Sequence, residues 1–251
     1  FAINIGQDGT GKYTDGGAAE IDAVIDAINA TGYGLTFGLH TRIDDRVQHV
    51  SERIEAGNIY VNRNQIGAVV GSQPFGGHGL SGTGPKAGGP HYVARFAKQT
   101  LLKSATSKPP KMNAAQVARA FQHQEQTAFS GSKPINLPGP TGELNQYHLT
   151  PRQRVLCLGP GAEQLAKRAL ALGCCAIAAD ISSQDLSAVP QLDAVVYSGP
   201  DGRHIRKALS TRDGAIVPLL MDETFETWLM KERSVCIDTT AAGGNTALLA
   251  S

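Results

Sequence analysis

The chain has 251 residues, 41% hydrophobic and 18% charged, which suits a soluble globular protein of one large domain or two small ones. Its 23 basic and 22 acidic residues leave a formal net charge of +1, so composition gives no general ground for nucleic-acid or anionic-membrane binding. No apolar run approaches the roughly 18–20 residues that cross a bilayer, so no transmembrane segment is expected. Nor does the start at Phe1 show the basic stretch and apolar core of a signal peptide.

In chain order, Phe1–Ile5 reads as a short strand, and the glycine-rich stretch to Gly17 as loop. Ile21, Val24, Ile25 and Ile28 recur at helical spacing, predicting an amphipathic helix over Ala18–Ala30 that stops at Thr31-Gly32. Leu35–His40 reads as a strand. Asp44–Ala56 reads as a second helix with Val47, Val50 and Ile54 on one face, and Asn58–Asn62 alternates like a strand. The stretch Gly67–Gly89 holds nine glycines, too many for regular structure. His91–Leu102 is extended or mixed, and Lys103–Lys111 is a polar, proline-containing linker that places the main boundary near residue 108.

Beyond a short helix (Ala114–His123) and a loop (Ser130–Gly142), the last hundred residues alternate strand and helix. Strands are predicted at Arg154–Leu158, Cys174–Ala179, Asp193–Tyr197 and Gly214–Leu219. Helices are predicted at Ala162–Leu172, Arg203–Leu209 and Phe225–Glu232. That order predicts an α/β fold whose second part is a small, Rossmann-like, doubly wound parallel sheet.

Two glycine turns carry candidate chemistry. Gly159-Pro-Gly161 opens a helix, and Asp180 ends the next strand roughly 20 residues on, which approximates a dinucleotide fingerprint. A pyrophosphate would sit on the helix N-terminus and ribose hydroxyls on the carboxylate. Against this, Gln164 replaces the third glycine, Pro160 lacks an amide donor and Glu163 adds negative charge. Gly159, Gly161 and Asp180 are therefore cofactor candidates beside a second reading, a Rossmann-shaped domain that holds no nucleotide.

The second turn lies in Gln73-Pro-Phe-Gly-Gly-His-Gly-Leu-Ser-Gly-Thr-Gly-Pro-Lys-Ala-Gly88-Gly89-Pro-His-Tyr92. Consecutive amides at Gly88 and Gly89 would form an anion cradle, Lys86 would add charge, and Phe75, Tyr92 and Phe96 would wall an apolar slot. A ligand with a carboxylate on an aliphatic chain suits such a place. A structural loop at a subunit contact suits it equally.

Residues 21–96 resemble the end of the aldehyde dehydrogenase superfamily, on Asn29–Asp44, Gly57-Asn-Ile-Tyr-Val-Asn62 and Pro74-Phe-Gly-Gly-His-Gly-Leu-Ser-Gly82. Thr83-Gly-Pro-Lys-Ala-Gly-Gly-Pro90 is similar to the branch that oxidises glutamate γ-semialdehyde. Leu137–Asn145, Pro151–Cys157 and Thr239–Leu249 resemble the tail of the proline utilization A family. The resemblance divides the chain into an unassigned segment (1–17), the C-terminal part of an aldehyde dehydrogenase domain (18–107), a linker (108–150), a Rossmann-like domain (151–238) and a tail motif (239–251).

The resemblance also implies a parent enzyme that oxidises glutamate γ-semialdehyde, formed from 1-pyrroline-5-carboxylate, to glutamate. NAD would bind at the parent's aldehyde dehydrogenase site, and FAD in a proline dehydrogenase domain outside this chain. Gly88 and Gly89 would hold the substrate carboxylate, with Phe96 and Phe75 lining the aldehyde channel, and the tail at Ala241–Asn245 would pack over the passage between the two sites. The family's nucleophilic cysteine and general-base glutamate lie upstream of Gly32 and have no counterpart here, so no residue of this chain is expected to be catalytic. Implied partners are the small-molecule substrate, the upstream catalytic domains and further copies of the chain in a homo-oligomer. A non-catalytic scaffolding or oligomerisation module is the alternative.

Cys157, Cys174, Cys175 and Cys236 have no zinc-ligand spacing and read as buried reduced thiols, which suits a cytoplasmic protein, one that the resemblance allows to be peripheral to a membrane. No histidine pairs locally with a nucleophile and an acid, and Glu52, Arg53 and Glu55 read as a solvated helix face.

Overall fold

The computed structural model describes residues 2–4, 18–65, 68–82, 84–98, 100–103, 106–124 and 133–240. Most of the unassigned segment 1–17 and the tail motif Ala241–Asn245 lie outside them. Two compact units emerge, one of residues 1–95, 133–148 and 232–251, the other of 96–132 and 149–231. Neither is continuous in sequence, so they do not follow the expected bounds 18–107, 108–150 and 151–238. Residues 133–148, taken as linker, belong to the first unit.

The first unit holds β1 (Ala2–Asn4), α1 (Ala18–Asn29), β2 (Tyr33–Gly34), β3 (Thr36–His40), α2 (Asp44–Arg53), β4 (Asn58–Val61), β5 (His78–Gly79) and β6 (Ile135–Leu137). Most of β7 (Glu143–Pro151) and of β12 (Met230–Asp238) completes it. Its sheet runs β1-β3-β4-β12-β7-β6. β1, β3, β4 and β12 are parallel, in a register that sets Phe37 against Ile59 and Val235 against Ile59 from the other side. β6 and β7 form an antiparallel hairpin where a loop was expected.

Strand alternation puts Phe37, Leu39, Ile59, Val61, Val235 and Ile237 on one face, where they pack with Ile25, Val50 and Ile54 of the α1–α2 side. The helical stripe is Ile21, Ile25 and Ile28. Val24, expected on it, is 45% exposed, lying about 100° around the helix from the fully buried Ile25. Arg53, expected to be solvated, pairs with Asp22 and Asp26 of α1.

In the second unit α3 (Ala114–Gln124) precedes β8 (Arg154–Leu158), α4 (Ala162–Ala171), β9 (Cys175–Ala179), α5 (Ser183–Ala188), β10 (Ala194–Tyr197), α6 (Arg203–Ser210), β11 (Leu219–Leu220) and α7 (Phe225–Trp228). The four strands lie in the order β11-β10-β8-β9 and are all parallel. Val155, Cys157 and Cys174 pack with α4, Phe225 and Leu229, while Leu156, Leu158 and Cys175 pack with Val117 and Phe121 of α3 and with α5 and α6. Adjacent Cys174 and Cys175 thus serve opposite cores, as an extended pair must.

Two predicted elements shrink. The strand expected at Gly214–Leu219 is only Leu219–Leu220, since Pro218 immediately before it lacks an amide donor. The helix expected at Phe225–Glu232 stops at Trp228, and Met230 begins β12.

Candidate functional site

The glycine-rich loop after β4 is a folded structure held by side chains of the first unit's sheet. Phe75 and Ala87 form an antiparallel bridge with reciprocal amide–carbonyl bonds of 2.9 and 2.8 Å, which closes residues 75–87 into a hairpin. Where the loop crosses the start of β4, a Cβ on Gly57 would lie 2.0 Å from the Gly76 carbonyl oxygen, so only glycine permits the approach. The Ser234 hydroxyl of β12 donates to the Pro74 carbonyl at 2.7 Å, and the Gln73 amide donates to Glu143 of β7 at 2.7 Å.

Lys86 does not add charge to a cradle. Its side chain is buried, 2% exposed, with Nζ donating to Asn58 Oδ1 at 2.9 Å and to the Gly76 carbonyl at 2.6 Å. Burial pulls its ammonium down to about 7, against the opposing pull of nearby Glu232. The Lys86 amide donates to Glu232 Oε2 at 2.8 Å. Tyr147 donates its hydroxyl to Glu232 Oε1, and His91 Nδ1 lies 3.3 Å from the same oxygen. Burial, and then Glu232, raise the Tyr147 phenol above its ordinary range.

Gly88 adopts φ +71°, and among the described residues its N–H donates to no partner, while its carbonyl accepts from Gly71 at 3.1 Å. A Cβ there would meet the Val70 Cα at 3.1 Å. Gly89 departs from expectation: its N–H donates to the Lys86 carbonyl at 3.0 Å, so one of the two amides of the cradle is occupied by the chain. Phe75, partly buried, reaches the same hairpin, its neighbour across the bridge being next to Gly88. Phe96 ends a 3-10 turn (Val93–Phe96), belongs to the second unit and is 74% exposed.

The sequence reading missed Glu232, Tyr147 and His91 as one cluster. The signal available was the period-2 alternation Glu232, Ser234, Cys236, whose first residue the expected helix Phe225–Glu232 absorbed.

In the second unit, Gly159 and Asp180 line a cavity of about 180 Å³ with Leu158, Tyr197 and His204, at the carboxyl ends of β8, β9 and β10. Strand order reverses between β8 and β10, so this is where a doubly wound sheet takes a ligand. Part of the donor set a pyrophosphate needs is taken or missing. Gly161 N–H donates to the Ser107 carbonyl at 2.9 Å, Pro160 has none, and the Asp180 backbone is tied to Pro110 and Met112. The residues present do not fit a dinucleotide phosphate.

The four thiols are buried. Burial pushes Cys157, Cys174 and Cys236 up to about 12, the reverse of an activated nucleophile. Among the described residues no group of three or more His, Cys, Asp or Glu could hold a metal ion, and no helix is long and apolar enough to cross a membrane.

Residues 17–101 match the aldehyde dehydrogenase family. The "Bifunctional protein PutA" of Rhizobium meliloti is 41% identical over 92% of this chain, which covers 23% of that protein. A "1-pyrroline-5-carboxylate dehydrogenase" of Bacillus licheniformis is 43% identical over 30% of the chain and 15% of its own length. The solved structure of proline utilization A from Corynebacterium freiburgense is 26% identical, with a TM-score of 0.61, over 87% of this chain and 24% of that one. The chain thus spans about a quarter of the bifunctional relatives it matches. Residues 17–101 are part of an aldehyde dehydrogenase domain, and the chain over about nine-tenths of its length is related to the bifunctional PutA proteins.

Proposed function

We propose that this chain is the C-terminal part of a bifunctional proline-catabolic enzyme, and that its glycine-rich loop anchors the carboxylate of L-glutamate γ-semialdehyde while the upstream domain oxidises the aldehyde to L-glutamate with NAD. FAD belongs to the proline dehydrogenase domain of the parent. The carrying observation is the similarity to a bifunctional PutA protein across 92% of the chain, joined to the aldehyde dehydrogenase match at 17–101. The loop adds a physical reason: Gly88 sits in a left-handed turn and, among the described residues, its amide donates to no partner. With Gly89 bonded to Lys86, the anchor rests on Gly88 in this conformation, and Phe75, on the same hairpin, is the apolar candidate beside it.

The thiol chemistry fits a non-catalytic segment, since buried cysteines held protonated make no acyl-enzyme. The chain alone is expected to yield no NADH from 1-pyrroline-5-carboxylate, whereas the whole polypeptide that contains it should. In that polypeptide Gly88→Val should raise KM for the semialdehyde far more than for a neutral aldehyde of similar length. Equal effects on both aldehydes would remove the anchoring role from this loop.

The second unit supports a scaffolding reading that holds beside the first. Its glycine turn gives its amide to Ser107, so the Rossmann-like sheet serves architecture, as a support for the catalytic part or for subunit assembly. Isothermal titration with NAD should show no saturable binding that depends on Asp180.

A further inference from the structure

We propose that Glu232 is the positioning residue of the anchor loop: from β12 its carboxylate ties Lys86 and His91, the two flanks of the Gly88–Gly89 turn, and so sets the direction of the Gly88 amide. The inference rests on the anchoring role assigned to that loop. Glu232 is 8% exposed, and a carboxylate that far from water needs hydrogen-bond partners on both oxygens. Each partner is informative. Oε2 accepts the Lys86 amide at 2.8 Å, two residues before Gly88. Oε1 accepts the Tyr147 hydroxyl and faces His91 Nδ1 at 3.3 Å, two residues after Gly89. The Glu232 carbonyl is bonded to His78 Nε2 at 2.8 Å, which ties the far limb of the same hairpin to the strand.

The turn is thus clamped at both ends by one carboxylate. The Lys86 carbonyl, whose own amide is held by Glu232, in turn receives the Gly89 N–H at 3.0 Å, so the clamp reaches the second glycine through one peptide unit. Tyr147, on β7, holds the carboxylate from the opposite side and is itself 1% exposed. Its ring meets His91 edge-on, with centroids 6.5 Å apart. Neither Glu232 nor Tyr147 falls within the 17–101 segment that matches the aldehyde dehydrogenase family. Strands contributed by later parts of the chain therefore orient a turn that belongs to the earlier domain, and a network in which every member is satisfied keeps it in one arrangement.

The test uses Glu232→Gln and Tyr147→Phe in the whole enzyme that contains this chain, with KM and kcat measured on glutamate γ-semialdehyde and on pentanal. A misdirected anchor should raise KM for the semialdehyde about tenfold, the equivalent of one hydrogen bond of about 1.4 kcal/mol, with kcat and the pentanal KM within about twofold. Equal losses on both aldehydes, or no change on either, overturn the proposal. Deuterium exchange of this chain provides a reading independent of activity. In Tyr147→Phe the bonded amides of Gly89 and Tyr92 should exchange faster while those of α1 and α2 are unchanged, and unchanged exchange at both equally overturns it. If the wild-type enzyme fails to prefer the semialdehyde over pentanal, the substrate reading falls, and the exchange result still decides whether Glu232 holds the turn.

Discussion

In the second unit's sheet both faces are apolar: Val155 and Cys157 look into one core, Leu156 and Leu158 into the other. The first unit's sheet has one such face, formed by Ile59, Val61, Val235 and Ile237. Along the same strands its other face buries Asn58, Glu232, Ser234 and Cys236. The apolar sheet needs nothing beyond shape and area. The polar face needs hydrogen-bond partners, and the glycine-rich loop supplies several of them, through Lys86 and the Pro74 carbonyl, while Tyr147 and Arg63 supply others. Buried polar groups that break the apolar pattern and bond in part to one loop mark that loop as a part whose geometry matters. The two glycine turns follow the same division: the one in the apolar unit gives its Gly161 amide to Ser107, while the one over the polar face keeps Gly88 open among the described residues.

The largest expected effect tests the apolar side of that contrast. Phe225 is 0% exposed in the core under β8, with the Arg168 guanidinium 4.4 Å over its ring. Phe225→Ala should destabilise the second unit by about 3–5 kcal/mol, read as a shift in urea unfolding, because it leaves a cavity in a close-packed core. A loss below about 1 kcal/mol would mean that the core repacks freely and that the comparison with the polar face is overstated.

The next effect sharpens the polar side. Burial holds Lys86 at about 7 against 10.5 in the open chain, so between these values the unfolded state binds the extra proton. Stability then rises with pH across that window, by at most about 1.4 kcal/mol per pH unit, and the charged lysine is most costly below pH 7. Lys86→Met should flatten this slope between roughly pH 7 and 10 relative to the parent chain. An identical slope in both proteins would show that Lys86 remains charged through the range and that the polar face tolerates a buried ammonium.

The contrast also explains what could be read in advance. Strands at 154–158 and 194–197 and the helix from Ala162 were legible because apolar residues on both faces give unbroken runs such as Val-Leu-Cys-Leu, and the helix keeps its 3.6-residue stripe. The last helix was overextended because nothing local distinguishes Met230–Glu232 from its continuation. Pairing of β12 with β4, more than 170 residues earlier, decides the strand. The glycine loop was recognisable as a loop and Gly88 as a turn, but its supports were not. Lys86 and Glu232 are separated by 146 residues and Tyr147 and Glu232 by 85, and no periodicity links side chains at such distances. For the same reason Lys86 read as a surface charge beside an anion, when its ammonium points to Asn58 and the Gly76 carbonyl.

The smallest effect separates the two faces of a single strand. Arg233 follows Glu232 on β12 and therefore points to the opposite, helix-bearing side, where its guanidinium donates to the Ser51 and Ile54 carbonyls at 2.7 and 3.0 Å. These are carbonyls at the end of α2, left without intrahelical donors, and a cation there also meets the negative end of the helix dipole. Arg233→Met keeps the stem and removes both bonds, and should destabilise the first unit by about 1–3 kcal/mol in urea unfolding. Because the side chain faces away from the loop, amide exchange at residues 88–92 should stay unchanged while exchange at the end of α2 accelerates. Faster exchange at 88–92 in this variant would mean that the two faces of β12 are coupled, so that the loop answers to the strand as a whole and not to the carboxylate on one side of it.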